Sequence, residues 1–177
     1  MRVTQIRGLP VLDSAVARQA GVVAGLLIDV TSACVVALDV KHGDGLLVHR
    51  VPMGYVDSIS RRAVLVPRSG ELELIPPRLW GDHLFGTDAL IGLEVLSDGG
   101  ERLGFVSDVH FGPKTMAIQS YVVTRRAWEP WLRRTRLVPS EVLACSGDAM
   151  VVSRSPRRSG FAPFERLQHA LGLIRKA

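Results

Sequence analysis

Cysteine is nearly absent from this chain. Two in 177 residues, Cys34 and Cys145, exclude a disulfide framework, and neither stands in a C-x-x-C pair or beside histidines at metal-ligand spacing. Both lie among small or apolar residues in β-like segments, which predicts buried reduced thiols and a reducing, cytoplasmic setting. The five histidines (His42, His49, His83, His110 and His169) form no H-x-x-x-H or H-E-x-x-H pattern. His42 and His49 flank Gly43-Asp44-Gly45, a hairpin-like turn whose strands would bring them close; Asp44 is the nearest further ligand, and exposed hairpin histidines are the plainer reading. Glycines number 17, yet G-x-G-x-x-G, G-x-x-x-x-G-K-[ST] and G-x-S-x-G are all missing, so neither a phosphate cradle nor a nucleophile elbow is indicated. The expectation is a protein without catalytic residues, cofactor or metal.

The N-terminal residues hold no apolar h-region, so no signal peptide is expected. The run 21–40, GVVAGLLIDVTSACVVALDV, has the length of a membrane span. Asp29 near its middle and the turn-like Thr31-Ser32 argue instead for two buried strands.

What the chain does have is a globular balance of 47% hydrophobic and 22% charged residues, with very uneven charge. Residues 1–124 carry 11 Lys/Arg against 13 Asp/Glu, whereas 125–177 carry 11 against 4. The basic last third suits an anionic partner, or is simply a solvated surface.

It also has internal self-similarity, the first thing to seek in any chain. Gly8-Leu-Pro-Val-Leu12 matches Gly92-Leu-Glu-Val-Leu96, and a polar turn follows each. Gly25-Leu-Leu-Ile-Asp29-Val30 is paired with Gly104-Phe-Val-Ser-Asp108-Val109, then 33–40 with 117–124. Val51-Pro52 is paired with Val138-Pro139, and 63–66 with 150–152. Each stretch reads as short Val/Ile/Leu-rich strands punctuated by Gly, Asp, Ser and Pro turns, the signature of a small sandwich or barrel. In this reading Gly25 and Gly104 allow a bend or close backbone approach, and Asp29 and Asp108 accept backbone N–H bonds at the following turn. Pro52 and Pro139 open strands, where no ladder bond is lost. Asp29 and Asp108 as a paired acid–base site is the weaker alternative.

This succession of short motifs resembles the PRC-barrel domain, over residues 6–66 and again over 80–152, with 79–92 similar to the lead-in seen there. The resemblance implies a small β-barrel serving as an interaction or assembly module without catalytic residues, as in the photosynthetic reaction-centre H subunit and the C-terminal domain of a small-subunit ribosome maturation factor. Neither the membrane anchor of the first nor the additional N-terminal domain of the second is expected here.

The second stretch has its own feature. Between 125 and 137, Arg125, Arg126, Trp128, Trp131, Arg133, Arg134 and Arg136 place five arginines and two tryptophans in a loop or hairpin tip. Such residues stack on bases, contact phosphates or lipid headgroups, or anchor protein interfaces. After a Pro/Gly/Arg/Ser linker, Phe164, Leu167, Leu171 and Ile174 form one apolar stripe of a C-terminal helix.

The sequence therefore predicts an all-β protein of two small PRC-barrel-like β-barrels in tandem, 1–75 and 76–155, with a basic linker and C-terminal α-helix at 156–177. Its expected work is to bind a protein partner as a scaffold. RNA or an anionic membrane surface is the alternative partner, and mutual contact or homo-oligomerisation is expected of modules this small.

Overall fold

The computed structural model describes residues 1–42, 47–67, 83–125 and 134–153. Among the described residues the chain is mostly β, in two sheets, with two short helices.

The first sheet begins with the one-turn helix α1 (Val3–Ile6), then β1 (Pro10–Asp13), β2 (Gln19–Asp29), β3 (Cys34–His42), β4 (Leu47–Pro52), β5 (Ser58–Ile59) and β6 (Val64–Val66). Its order is β4-β3-β2-β1-β6-β5, with β1 and β6 parallel. Next come β7 (Leu84–Gly86) and the one-turn helix α2 (Thr87–Leu90). The second sheet holds β8 (Glu94–Ser97), β9 (Arg102–Phe111), β10 (Ile118–Thr124), β11 (Arg134–Leu137), β12 (Val142–Cys145) and β13 (Ala149–Val152). Its order, β11-β10-β9-β8-β13-β12, repeats the first strand for strand, including the parallel pair β8–β13. Among the described residues the end strands of neither sheet pair with each other, so neither closes into a barrel.

Periodicity accounts for the strands. β1, β8 and β13 alternate buried and half-buried positions, as a strand with one face on a core should. The membrane-length run 21–40 forms most of β2 and β3, turning at Val30–Ala33 as its Thr-Ser pair predicts. Among the described residues no helix is long and apolar enough to cross a membrane.

The two sheets share one core. Ile6, Leu26, Ile28, Leu38 and Val51 of the first part belong to a single buried cluster with Leu90, Val109, Phe111, Tyr121 and Leu137 of the second. Long central strands make this possible. β1 pairs with β2 only over Gln19–Val22, leaving Leu27–Asp29 on the same edge for β7, which arrives from the far side of the predicted boundary at 75/76. Likewise β8 covers β9 over Arg102–Phe105, and Arg2 bridges to His110 beyond it. The segment leading into each sheet thus finishes the other sheet.

Register corrects part of the sequence pairing. Gly104 lies opposite Val95, and the corresponding place opposite Val11 is taken by Gly21, not Gly25. The cause is steric: a β-carbon on Gly21 would stand 2.4 Å from the Lys41 carbonyl oxygen, and on Gly104 2.1 Å from that of Thr124. Gly25 serves a different contact, making room for the Thr87 hydroxyl, 2.7 Å from where its β-carbon would be. Pro52 closes β4 instead of opening a strand, and Pro139 starts a 3-10 turn. Gly8 and Gly92 do correspond, both at positive φ after their short helices.

Candidate functional site

Asp29 behaves as the sequence suggests, accepting from the N–H groups of Thr31 (2.8 Å) and Ser32 (3.0 Å) in the β2–β3 turn. Burial alone would raise its pKa; the hydrogen bonds from Ser32 and Thr31 and the neighbouring His83 outweigh it and hold the carboxyl below its usual range. Asp108 does not share that role. Its side chain, 10% exposed, accepts the Thr4 hydroxyl at 2.6 Å and the Thr4 N–H at 3.3 Å, with Arg2 at 3.9 Å. It fastens α1 to β9, across 104 residues of chain. Each aspartate is committed to its own partners.

The histidine pair does come together: His42 and His49 have ring centroids 6.4 Å apart, and His42 Nδ1 lies 2.6 Å from the Ala20 carbonyl oxygen. Asp44 lies outside the described residues, and among those described no three His, Cys, Asp or Glu side chains could hold a metal.

Of the arginine–tryptophan segment, Arg126, Trp128, Trp131 and Arg133 lie outside the described residues. The strands on either side place its ends: β10 and β11 pair antiparallel from Tyr121↔Leu137 to Thr124↔Arg134, so Arg125 and Arg134 stand at neighbouring strand ends. Arg125 and Arg136 are exposed. Arg136 sits opposite Val122, which sits opposite Asp108, and His110 is two residues along β9. Burial, then the positive charge of Arg136, push the His110 imidazole below its ordinary pKa; Asp108 opposes them, and the N-terminus and Arg2 add to the lowering. Phe164, Leu167 and Leu171 also lie outside the described residues.

Two features escaped the sequence. One is a reciprocal contact between the β2–β3 and β9–β10 turns. Val35 N–H donates to the Met116 carbonyl (2.8 Å), and Ile118 N–H donates to the Ala33 carbonyl (2.7 Å), around a Cys34–Ala117 bridge. Ala33 and Met116 both take positive φ, 52° and 58°, a left-handed turn that no glycine signals. The other is a groove of about 640 Å³ between the sheets. Val30, Thr31, Ala33 and His83 line one wall, and residues 139–145, except Glu141, the other. Cys145, half-buried there, has its thiol pushed by burial up to about 11, well away from the reactive thiolate form. Near it the Tyr121 hydroxyl is wholly buried with no hydrogen-bond partner among the described residues, and burial, with Cys145 and Asp29 adding to it, raises its pKa to about 12.

No curated protein matches the chain. Residues 82–155, which take in β7 to β13, match the family model of the PRC-barrel domain, and the chain accordingly carries one PRC-barrel domain over that stretch.

Proposed function

We propose that this protein is a non-catalytic binding or scaffold module of the cytoplasm, built from two PRC-barrel-like halves, 1–75 and 76–155, paired about an internal two-fold axis, and that it holds a protein partner at the basic β10–β11 hairpin. The observation that carries the reading is the strand-for-strand identity of the two sheet orders. The exchanged bonds Val35–Met116 and Ile118–Ala33 support it, since each half gives what it receives, as in an isologous dimer interface. By count of charges the halves are nearly equal, 8 Lys/Arg against 7 Asp/Glu in 1–75 and 9 against 9 in 76–155, but the clustered arginine–tryptophan segment belongs to the second alone. Arginine and tryptophan are favoured where a few residues dominate protein binding. The high thiol pKa of Cys145 and the backbone contact of His42 favour a non-catalytic role.

Capture of the native partner by the full chain, with and without nuclease, tests the reading. The expected result is a stoichiometric, nuclease-resistant protein whose retention changes little with salt and is lost when Arg125→Glu and Arg136→Glu are combined. The second reading is RNA, carried by the five arginines of 125–136. RNA retention would fall steeply with salt as phosphate contacts are lost, and would drop in Arg133→Glu plus Arg134→Glu; retention unchanged in that variant excludes it.

A further inference from the structure

The groove between the sheets has an occupant within reach. Among the described residues β12 is an edge strand, and along its groove side Leu143 is 59% exposed beside half-buried Val142 and Cys145. Leu143 is continuous with Val30, Ala33, Pro139 and Val142, which line the same groove beside the polar Thr31, His83 and Ser140, and a contiguous apolar strip of this kind is a surface suited to being covered. The chain leaves the second sheet at this spot. Ser153 N–H donates to the Glu141 carbonyl at 2.9 Å, between Ser140 and Val142, both of which line the groove. Residues 154–177 follow, and they carry the stripe Phe164, Leu167, Leu171 and Ile174. The ten residues from 154 to 163 span up to about 35 Å, many times the distance from Ser153 to the groove wall. They include Pro156, Gly160 and Pro163, residues that permit a reversal of direction.

Shape also favours this groove over its two-fold counterpart. The counterpart of Ala33 is Met116, and the turn equivalent to residues 139–141 is Met53–Tyr55. Met116 and Met53 pack onto the core with long side chains, where the groove has the single methyl of Ala33 and the ring of Pro139. The chain's exit at Ser153 lies on the side of Ala33 and Pro139.

We infer that the apolar stripe of residues 164–174 seats in the groove between the β2–β3 turn and β12 of the same chain. The seat shields Leu143 and Cys145 and returns the basic C-terminal residues to the body of the protein. This inference stands on the groove and the chain's exit, independently of what the β10–β11 hairpin binds.

Cys145 is a native probe of that groove, and Cys34 supplies a reference in the same molecule. Alkylation of both thiols, resolved by peptide mass spectrometry, is compared in the full chain, in full-length Leu167→Glu plus Leu171→Glu, and in a chain ending after Ser153. Cys145 is expected to react about fivefold faster in both altered chains while Cys34 holds its rate, since local shielding and not global opening controls access. The difference should not depend on protein concentration. An unchanged Cys145 rate in the full-length variant overturns the proposal. So does protection that grows with concentration, which places a second copy's tail in the groove. A parallel rise at Cys34 and Cys145 also overturns it, because the tail would then act on the stability of the whole fold.

Discussion

At the scale of single residues, two positions carry large and separable effects. Gly104 combines a φ of 144° with a backbone carbonyl 2.1 Å from where a β-carbon would be. Backbone on a central strand cannot yield as a side-chain tip can. Gly104→Ala should therefore cost about 3 kcal/mol or more, read as a lowered urea midpoint. Gly100 is the control: it has positive φ but nothing within 4 Å of a new β-carbon, so Gly100→Ala should cost only about 1 kcal/mol. Equal losses at the two sites would mean that backbone conformation, not the close approach to Thr124, sets the requirement. The second position is Thr4, whose hydroxyl satisfies the buried Asp108 at 2.6 Å. Thr4→Val keeps the shape and removes the donor, leaving the carboxylate with the N–H groups of Thr4 and Val109. The expected loss is about 1.5–3 kcal/mol, typical of a hydrogen bond to a charged, desolvated group; a neutral result would show that Asp108 is satisfied without it.

Elements divide into those the sequence announces and those that only packing creates. β1, β2, β3 and their partners in the second sheet were legible because Val-rich runs broken by Asp-Gly and Thr-Ser turns leave few alternatives to strands. Pairing them by motif was less secure. G-x-x-x-D-V occurs twice, yet Gly25 and Gly104 differ in place by four residues of register, because crowding against the neighbouring strand selects glycine at 21 and 104 while Thr87 selects it at 25. The lead-in contacts were illegible for another reason: nothing local tells Arg2 that its neighbour will be His110. That neighbour gives the element a pH dependence. His110 has a folded-state pKa below its unfolded value, so the unfolded chain binds the proton more readily and stability falls as pH drops through about 6.5. Asp29, a carboxyl held low, keeps its contribution until pH falls below about 4. Urea midpoints taken from pH 7.5 to 3 should therefore decline in the wild type between 7.5 and 5, and His110→Gln should flatten that part of the decline while leaving the acid-limb loss below about pH 4 in place. A decline undiminished in His110→Gln would assign it to other groups.

At the scale of the whole molecule, the crossed lead-in segments decide how the protein can come apart. The Arg7–Asp88 pair between α1 and α2 is exposed on both sides and contributes little to holding the parts together. The continuous core does far more, since Phe85 of β7, 7% exposed, packs in the cluster that joins Ile28 to Phe111 and Tyr121. Two sheets that each borrow a strand edge and part of a core from the other have no state in which one is folded and the other is not. Slow amide exchange should accordingly report one opening free energy for Ala37 and Leu38 in β3 and for Tyr121 and Val122 in β10, although these strands lie in different sheets. Phe85→Ala removes a ring from the shared cluster and should lower the exchange free energy of all four amides together by about 3 kcal/mol. If β10 kept its protection while β3 lost it, the halves would be independent domains joined by a linker, and the reciprocal Val35–Met116 and Ile118–Ala33 bonds would be a surface contact and not a dimer-like interface. A common loss would mean that the second half cannot present its basic hairpin without the first, which gives the plainer half its purpose: it is the other side of the interface on which the binding half is built.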